Sequence, residues 1–248
     1  MRPSAERQIV VVTGAGGGIG AAIALGLARS GYEVVGVGRS PAPLAELQAT
    51  AAADGLALTT QVVDSTDEAA TVALFNELGT TGRLLGAVFA AGFTKRLSVL
   101  ATTTADLDEL LATNLAGTFI GVRECGRVLK EAGHGGAMVI ISSINAQWPL
   151  PSQAAYSTTK AALDALVVSA AVELGPDGIR VNNVAPGAIL TKMNAGMGPD
   201  APLRDRIPLK RIGVPEDVVG AVEFLLGPQA AYVTGATITV DGGMRHFR

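Results

Sequence analysis

Cysteine is almost missing from this chain: Cys125 is the single thiol, so no disulfide can form within it. Histidine is nearly as scarce, and with only His134 and His246 a structural Cys/His zinc site is excluded by count. Cys125 falls in a helical stretch and reads as a buried structural thiol. His134, in the glycine-rich loop 133–136, and His246, in the tail, read as surface residues. Charge is also sparse. Charged residues make up 17% of the chain, the formal net charge is −3, and no run of Lys or Arg exceeds two residues. No basic surface is therefore expected to attract nucleic acid. No apolar stretch approaches the roughly eighteen residues of a membrane span. The start, MRPSAERQ, is polar, and the apolar run at 9–12 is too short for a signal-peptide core. A soluble cytoplasmic protein is expected.

What is abundant is apolar sequence and glycine: 48% of residues are hydrophobic and 31 are glycine. That supports a large buried core rather than disorder. Short apolar runs alternate with helical patterns. Strands are expected at 8–13, 33–38, 56–63, 85–90, 136–142, 179–184 and 237–240. Helices are expected at 19–30, 41–53, 67–78, about 104–131 with a break near Gly117, 155–174, and 216–226 after Pro215. Ser65 and Glu68 are placed to form a capping box before the third helix. The strands are continuously apolar, as in a parallel sheet covered on both faces. The expected fold is α/β, a doubly wound, Rossmann-like parallel sheet of about seven strands, with residues 1–248 as one domain. Ligands bind such sheets at the carboxyl ends of the strands, so the residues after each strand are the place to look for chemistry.

After the first strand comes Gly14-Ala15-Gly16-Gly17-Gly18-Ile19-Gly20, opening a helix. Glycines permit a tight turn and close approach of backbone to a pyrophosphate, while the helix start supplies N–H groups and partial positive charge. A glycine loop alone also makes a plain turn; here it has the required strand before and helix after. The second strand ends without the Asp or Glu that would hold the ribose hydroxyls of NAD. Arg39 and Ser40 stand there instead, and can hold a 2′-phosphate through charge-assisted bonds. Arg39 can equally be a surface cation. NADP(H) is the preferred cofactor on this reading, with NAD(H) open.

Tyr156 and Lys160 lie four residues apart and so share one helix face. A cation beside a phenol favours the phenolate and lowers a pKa that is ordinarily near 10. Such a Tyr can protonate an alkoxide or deprotonate an alcohol. Ser142 and Ser143 end the strand before it, and only one of them can face the site; Ser143 is the candidate and Ser142 the structural residue. Asn114 interrupts a helical pattern, either as a surface amide or as a local break that orders a water near Lys160.

These pieces together resemble the short-chain dehydrogenase/reductase family in its compact single-domain branch. The resemblance runs from Val10 to Met244 and rests on TGAGGGIG at 13–20, Asp64, AAG at 90–92, Asn114, Ser143, Tyr156, Lys160 and PGAILT at 186–191. It implies hydride transfer between a nicotinamide and a secondary alcohol or ketone. Tyr156 is then the acid/base, Lys160 lowers its pKa and holds the nicotinamide ribose, Ser143 binds the substrate oxygen, and Asn114 supports a proton-relay water. Asp64 contacts adenine, with Ser65, Ala91 and Gly92 nearby, and Pro186, Gly187, Ile189 and Thr191 line the nicotinamide and pyrophosphate side. No metal is implied. Two departures stand out: Ala90 replaces the family's usual Asn, which predicts local repacking, and Gly17 stands where NADP-preferring relatives often carry a basic residue.

The substrate wall is expected from residues after the strands: Phe93, Thr94 and Lys95, then Asn145, Gln147, Trp148 and Gln153, and the segment 190–207, whose glycines and prolines suit a lid or a plain loop. Trp148 can meet an apolar substrate or fill core space. The carboxyl-terminal stretch resembles both 3-oxoacyl-thioester reductases and sugar-acid or polyol dehydrogenases. Lys95, Gln147 and Gln153 suit the hydroxylated, sugar-acid type. Partners beyond the small-molecule substrate are copies of the chain: the family commonly forms homotetramers, or dimers, through the two long helices. A dinucleotide sensor without turnover would have eroded Tyr156, Lys160 or Ser143, and all are present. An extended-branch epimerase needs a larger carboxyl-terminal domain than the 57 residues after Thr191 allow.

Overall fold

The computed structural model describes residues 7–191, 198 and 201–246. Strands β1 (Ile9–Thr13), β2 (Glu33–Gly38), β3 (Leu58–Val62), β4 (Leu84–Phe89), β5 (Gly136–Ile141), β6 (Ile179–Pro186) and β7 (Thr237–Val240) form one sheet in the order β3-β2-β1-β4-β5-β6-β7. Every pairing is parallel. The helices are α1 (Gly18–Arg29), α2 (Pro41–Ala53), α3 (Glu68–Gly79), α4 (Thr104–Leu110), α5 (Gly117–Ala132), α6 (Ala154–Leu174) and α7 (Glu216–Leu226).

The continuous apolar strands follow from burial on both faces. Side chains alternate along a strand. Val10 and Val12 therefore pack with α1, α2 and α7, through Ile23, Leu27, Leu44 and Val222. Ile9 and Val11 face the opposite way, toward α3, α5 and α6, through Phe75, Val122 and Leu163. Burying each large side chain of this kind contributes roughly 1.5–3 kcal/mol. The chain winds outward from β1 to β3, then returns to β4 beside β1. That reversal opens a crevice between the carboxyl ends of β1 and β4.

Two local expectations are corrected, and a third is met. The third strand is shorter, because Leu56 completes the turn that ends α2, its N–H donating to the Ala51 carbonyl at 2.9 Å. The α3 cap is Asp67, whose carboxylate accepts from Ala70 N at 3.0 Å; the Ser65–Glu68 capping box does not form. The break expected near Gly117 is there: a π-helical turn, Leu111–Ala116, separates α4 from α5 and contains Asn114. Such turns mark places where a helix trades regularity for side-chain placement. Among the described residues, no helix is long and apolar enough to cross a membrane, and no His/Cys/Asp/Glu cluster fits a metal.

Candidate active site

The glycine loop turns sharply because its backbone has no room for side chains. Gly14 has φ +71°, and a Cβ on it would lie 2.7 Å from Ala91 N. A Cβ on Gly20 would lie 2.2 Å from the Gly14 carbonyl oxygen, so only glycine lets α1 start this close to β1. At Gly17, by contrast, a Cβ would meet nothing within 4 Å. Space for a longer side chain exists there, and this chain leaves it open. Beside Ala90, the Thr13 hydroxyl accepts from Ala90 N at 3.2 Å and Ala91 N at 3.3 Å, tying β1 to the end of β4.

Three adjoining hollows run along the carboxyl edge of the sheet. One, about 220 Å³, is lined by Gly14, Gly16, Arg39, Ser40, Asp64, Ser65, Ala91 and Gly92. Among the described residues Arg39 has no ion pair or side-chain hydrogen bond, and it is exposed at the hollow's rim. Asp64 accepts from Thr66 N and Thr66 Oγ1, both at 2.9 Å. These bonds, led by the backbone one, hold its carboxyl below the usual range, with the Arg39 cation helping. The middle hollow, about 350 Å³, takes in Gly14 and residues 16–20 of the glycine loop, and beyond them Ala90, Gly92, Ile141, Ser142, Ser143, Tyr156, Lys160, Pro186, Gly187, Ile189 and Thr191. The third, about 100 Å³, is lined by Thr94, Arg96, Ser143, Asn145, Gln153 and Tyr156, with Leu150, Leu203 and Met244. Ser143 and Tyr156 therefore stand on the boundary of the last two hollows.

Tyr156 opens α6, and Lys160 follows one turn later with Nζ 5.8 Å from the phenol ring centroid. The Lys160 ammonium donates to the Ile141 carbonyl at 3.0 Å. Burial pushes it down to about 8, against the pull of the Asp164 carboxylate. Burial pushes the Tyr156 phenol up from its ordinary value, while a hydrogen bond with Ser143 works the other way. This departs from the expectation that Lys160 draws the phenol toward neutrality. Here desolvation outweighs the Ser143 hydrogen bond, and the same burial disfavours the charge of the neighbouring Lys160.

Asn114 is fully buried in the π-helical turn. Its Oδ1 accepts from Phe93 N at 2.9 Å, and its Nδ2 donates to the Phe93 carbonyl at 3.0 Å and to Thr159 Oγ1 at 3.1 Å. The amide clamps the loop after β4 to α6, with both amide hydrogens used on protein.

The substrate candidates separate into two groups. Asn145 and Gln153 are buried, hydrogen-bonded to each other, and line the third hollow. Gln147 and Trp148 line neither of the two hollows that meet at Tyr156. Gln147 is exposed and reaches back to Asp164 at 3.4 Å, and Trp148 lies on the surface beneath the Arg245 guanidinium, 5.6 Å from its ring. The short helical turn Ile144–Ala146 aims both outward. Lys95 is engaged by Asp106 and Glu109, both on α4. Residues 192–197, 199 and 200 of the expected lid lie outside the described residues.

Arg96 and the pair Asp164–Asn183 went unnoticed in the sequence. Two adjacent Asn residues inside the apolar run IRVNNV were the available signal, since a buried amide in a central strand needs partners. Ser142 borders the middle hollow, next to Ser143. Its hydroxyl accepts from Asn183 Nδ2 at 2.7 Å.

Residues 14–245 match the family model described as enoyl-(acyl carrier protein) reductase. An L-rhamnose 1-dehydrogenase (NAD(P)(+)) of Sphingomonas sp. (strain SKA58) is 37% identical over 247 residues, covering 96% of each chain. A 3-oxoacyl-[acyl-carrier-protein] reductase of Synechocystis sp. is 34% identical, covering 97% of this chain and 98% of the relative. A solved structure from Beutenbergia cavernae, provisionally assigned as an NAD(P)-dependent gluconate 5-dehydrogenase and holding NADP at low occupancy, superposes with a TM-score of 0.91. It is 33% identical and covers 96% of this chain and 97% of its own.

Proposed function

The chain belongs to the short-chain dehydrogenase/reductase family of oxidoreductases acting on CH–OH groups, and from that premise we propose that it is an NADP(H)-preferring dehydrogenase of a sugar acid or polyol. The observation that carries this reading is the position of Tyr156 and Ser143 on the wall between two hollows, one floored by the glycine loop and one lined by polar side chains.

The glycine loop fits a dinucleotide: its backbone comes to the surface where any Cβ at Gly14 or Gly20 would block it, and α1 begins there. Arg39 and Ser40 would meet the 2′-phosphate, with Asp64 and Ser65 toward the adenine. Lys160 would meet the nicotinamide ribose. A nicotinamide supplies or accepts the hydride when bound. Tyr156 then gives a proton to the substrate oxygen, or takes one, while Ser143 holds that oxygen by a hydrogen bond. Asn114 keeps α6 and the loop after β4 in register for this exchange.

For the substrate, Arg96 offers a cation to a carboxylate, while Thr94, Asn145 and Gln153 offer partners to hydroxyls. The rhamnose and gluconate relatives agree with this. The apolar residues Leu150, Leu203 and Met244 in the same hollow favour a second reading, a 3-oxoacyl-thioester reductase. We also infer a homo-oligomer, dimer or tetramer, paired through α5 and α6, where Phe119, Val168 and Val172 are exposed.

The test is fluorescence titration with NADPH and NADH, followed by assay of the better cofactor against sugar acids, polyols, simple ketones and 3-oxoacyl thioesters. Turnover of aldonates or their keto forms is the expected result. Turnover confined to acyl thioesters moves the protein to the second reading, and cofactor binding with no turnover on any class leaves a dinucleotide sensor.

A further inference from the structure

Next to the middle hollow, which Ser142 borders, lies a compact polar cluster that joins the end of β5, β6, β7 and α6. Asn183, fully buried on β6, donates from Nδ2 to Ser142 Oγ at 2.7 Å, to Asp164 Oδ1 at 2.7 Å, and more weakly to Thr237 Oγ1 at 3.3 Å. Its Oδ1 accepts from Ser142 N at 3.2 Å. Asn183 thus holds the hydroxyl of Ser142, the residue just before Ser143, and shares its N–H, which also donates to the Val184 carbonyl at 2.9 Å. Asp164 anchors this amide, and its other oxygen accepts from Gln147 Nε2 at 3.4 Å. Asp164 also stands one helical turn after Lys160, on the same face of α6.

We propose that Asp164 is a positioning residue of this centre: through Asn183 and Ser142 it fixes the strand end that presents Ser143, and its charge keeps Lys160 an ammonium. The second half of this rests on reading Lys160 as the cation of the site.

The surroundings of Lys160 leave that task to Asp164. From the loop after β4 it faces Gly92, where a Cβ would sit 3.4 Å from Nζ and 3.0 Å from the Asn114 amide oxygen. From β5 it faces the Ile141 carbonyl. These groups carry no net charge. On α6 itself the neighbours are the Tyr156 phenol and Asp164, and among the described residues the Asp164 carboxylate is the charge that opposes the cost of burying the ammonium. A cation desolvated without such a partner gives up its proton. The carboxylate cannot swing away from α6, because Asn183 pins it from the sheet.

The experiment follows Lys160 directly. In protein labelled at lysine Cε with ¹³C, the Lys160 signal is assigned by its loss in Lys160→Arg and titrated by NMR without cofactor. The wild-type signal is expected to titrate near 8. Asp164→Asn keeps the side-chain shape and an oxygen for Asn183, and should lower that midpoint by about one pH unit, the size expected for one charge at this range. Asp164→Glu should restore most of it. The alkaline limb of the rate profile for alcohol oxidation should move by the same amount. Coincident titrations of wild type and Asp164→Asn overturn the proposal. If Asp164→Asn does not fold, Asp164→Ser carries the same comparison, and failure of both to fold overturns it in favour of a purely structural residue. Absence of turnover in the wild type would count against the oxidoreductase reading, while the NMR midpoint would still decide the role of Asp164.

Discussion

Lys160 Nζ donates to the Ile141 carbonyl at 3.0 Å, which holds a buried ammonium between α6 and the end of β5. Burial places its titration at about 8, well below an exposed lysine. Two opposite pH effects follow. The cation is present below about 8 and lost above it, so cofactor affinity should fall as pH rises through that value. Stability should move the other way. Between about 8 and the ordinary lysine value the unfolded chain binds the extra proton, so raising pH over that window stabilises the folded, cofactor-free protein. Thermal unfolding and NADPH titration from pH 7 to 10 check both signs, and Lys160→Met should flatten both differences.

Arg39 governs a separate prediction. Among the described residues its guanidinium has no ion pair or side-chain hydrogen bond, acts on Asp64 only through its charge, and stands at the rim of the hollow that ends at Asp64. If it meets a 2′-phosphate, Arg39→Ala should cost NADPH at least tenfold in Kd, about 1.4 kcal/mol, and leave NADH nearly unchanged. Equal loss for both cofactors, or a wild-type preference for NADH, would refute the assignment.

The sheet was legible because periodicity carries it: strands apolar on both faces alternate with helices, and β1 through β7 appear in order with ends displaced by at most two residues. The glycine loop, Tyr156 and Lys160 were legible because their chemistry fixes residue types at short spacing. What the sequence hid depends on long-range direction. Gln147 and Trp148 follow the right strand, yet a short turn aims them at Asp164 and Arg245. The break near Gly117 was legible from Asn114 in an apolar helical pattern, but its π-helical form at Leu111–Ala116 was not. It is needed so that Asn114 reaches Phe93 and Thr159 at once. The desolvation that raises Tyr156 is likewise a property of packing, whereas the Tyr–Lys spacing shows only the attraction.

Thr94 gives a prediction with two independent readouts. Its hydroxyl oxygen is buried without a hydrogen-bond partner, in the wall of the hollow shared by Ser143 and Tyr156. A buried unsatisfied hydroxyl costs about 1–3 kcal/mol. Thr94→Val keeps the shape and removes that cost, so the ligand-free protein should become more stable by about 1 kcal/mol. If the hydroxyl meets a substrate hydroxyl, the same variant should raise KM for a polyhydroxylated substrate roughly five- to tenfold, the effect of one lost hydrogen bond of about 1 kcal/mol or slightly more. A stability gain without a KM change would make Thr94 a packing residue alone.

Cys125 tests the packing on the α5 face of the sheet. The side chain is 0% exposed, within the cluster of Phe75, Leu129, Met138 and Leu163, and burial pushes its thiol far up. The thiolate is the nucleophile, so a thiol held neutral and out of reach of solvent should be inert. An aromatic disulfide reagent at pH 8 should leave the native protein unlabelled and should label one thiol per chain in denaturant. Cys125→Ser should cost about 1–3 kcal/mol, because a hydroxyl placed in this apolar cluster has no partner to bond. Cys125→Ala should cost less, since it removes volume without burying a polar group. Fast labelling of the native protein, or a serine variant as stable as the wild type, would mean that α5 does not seat against the sheet as described.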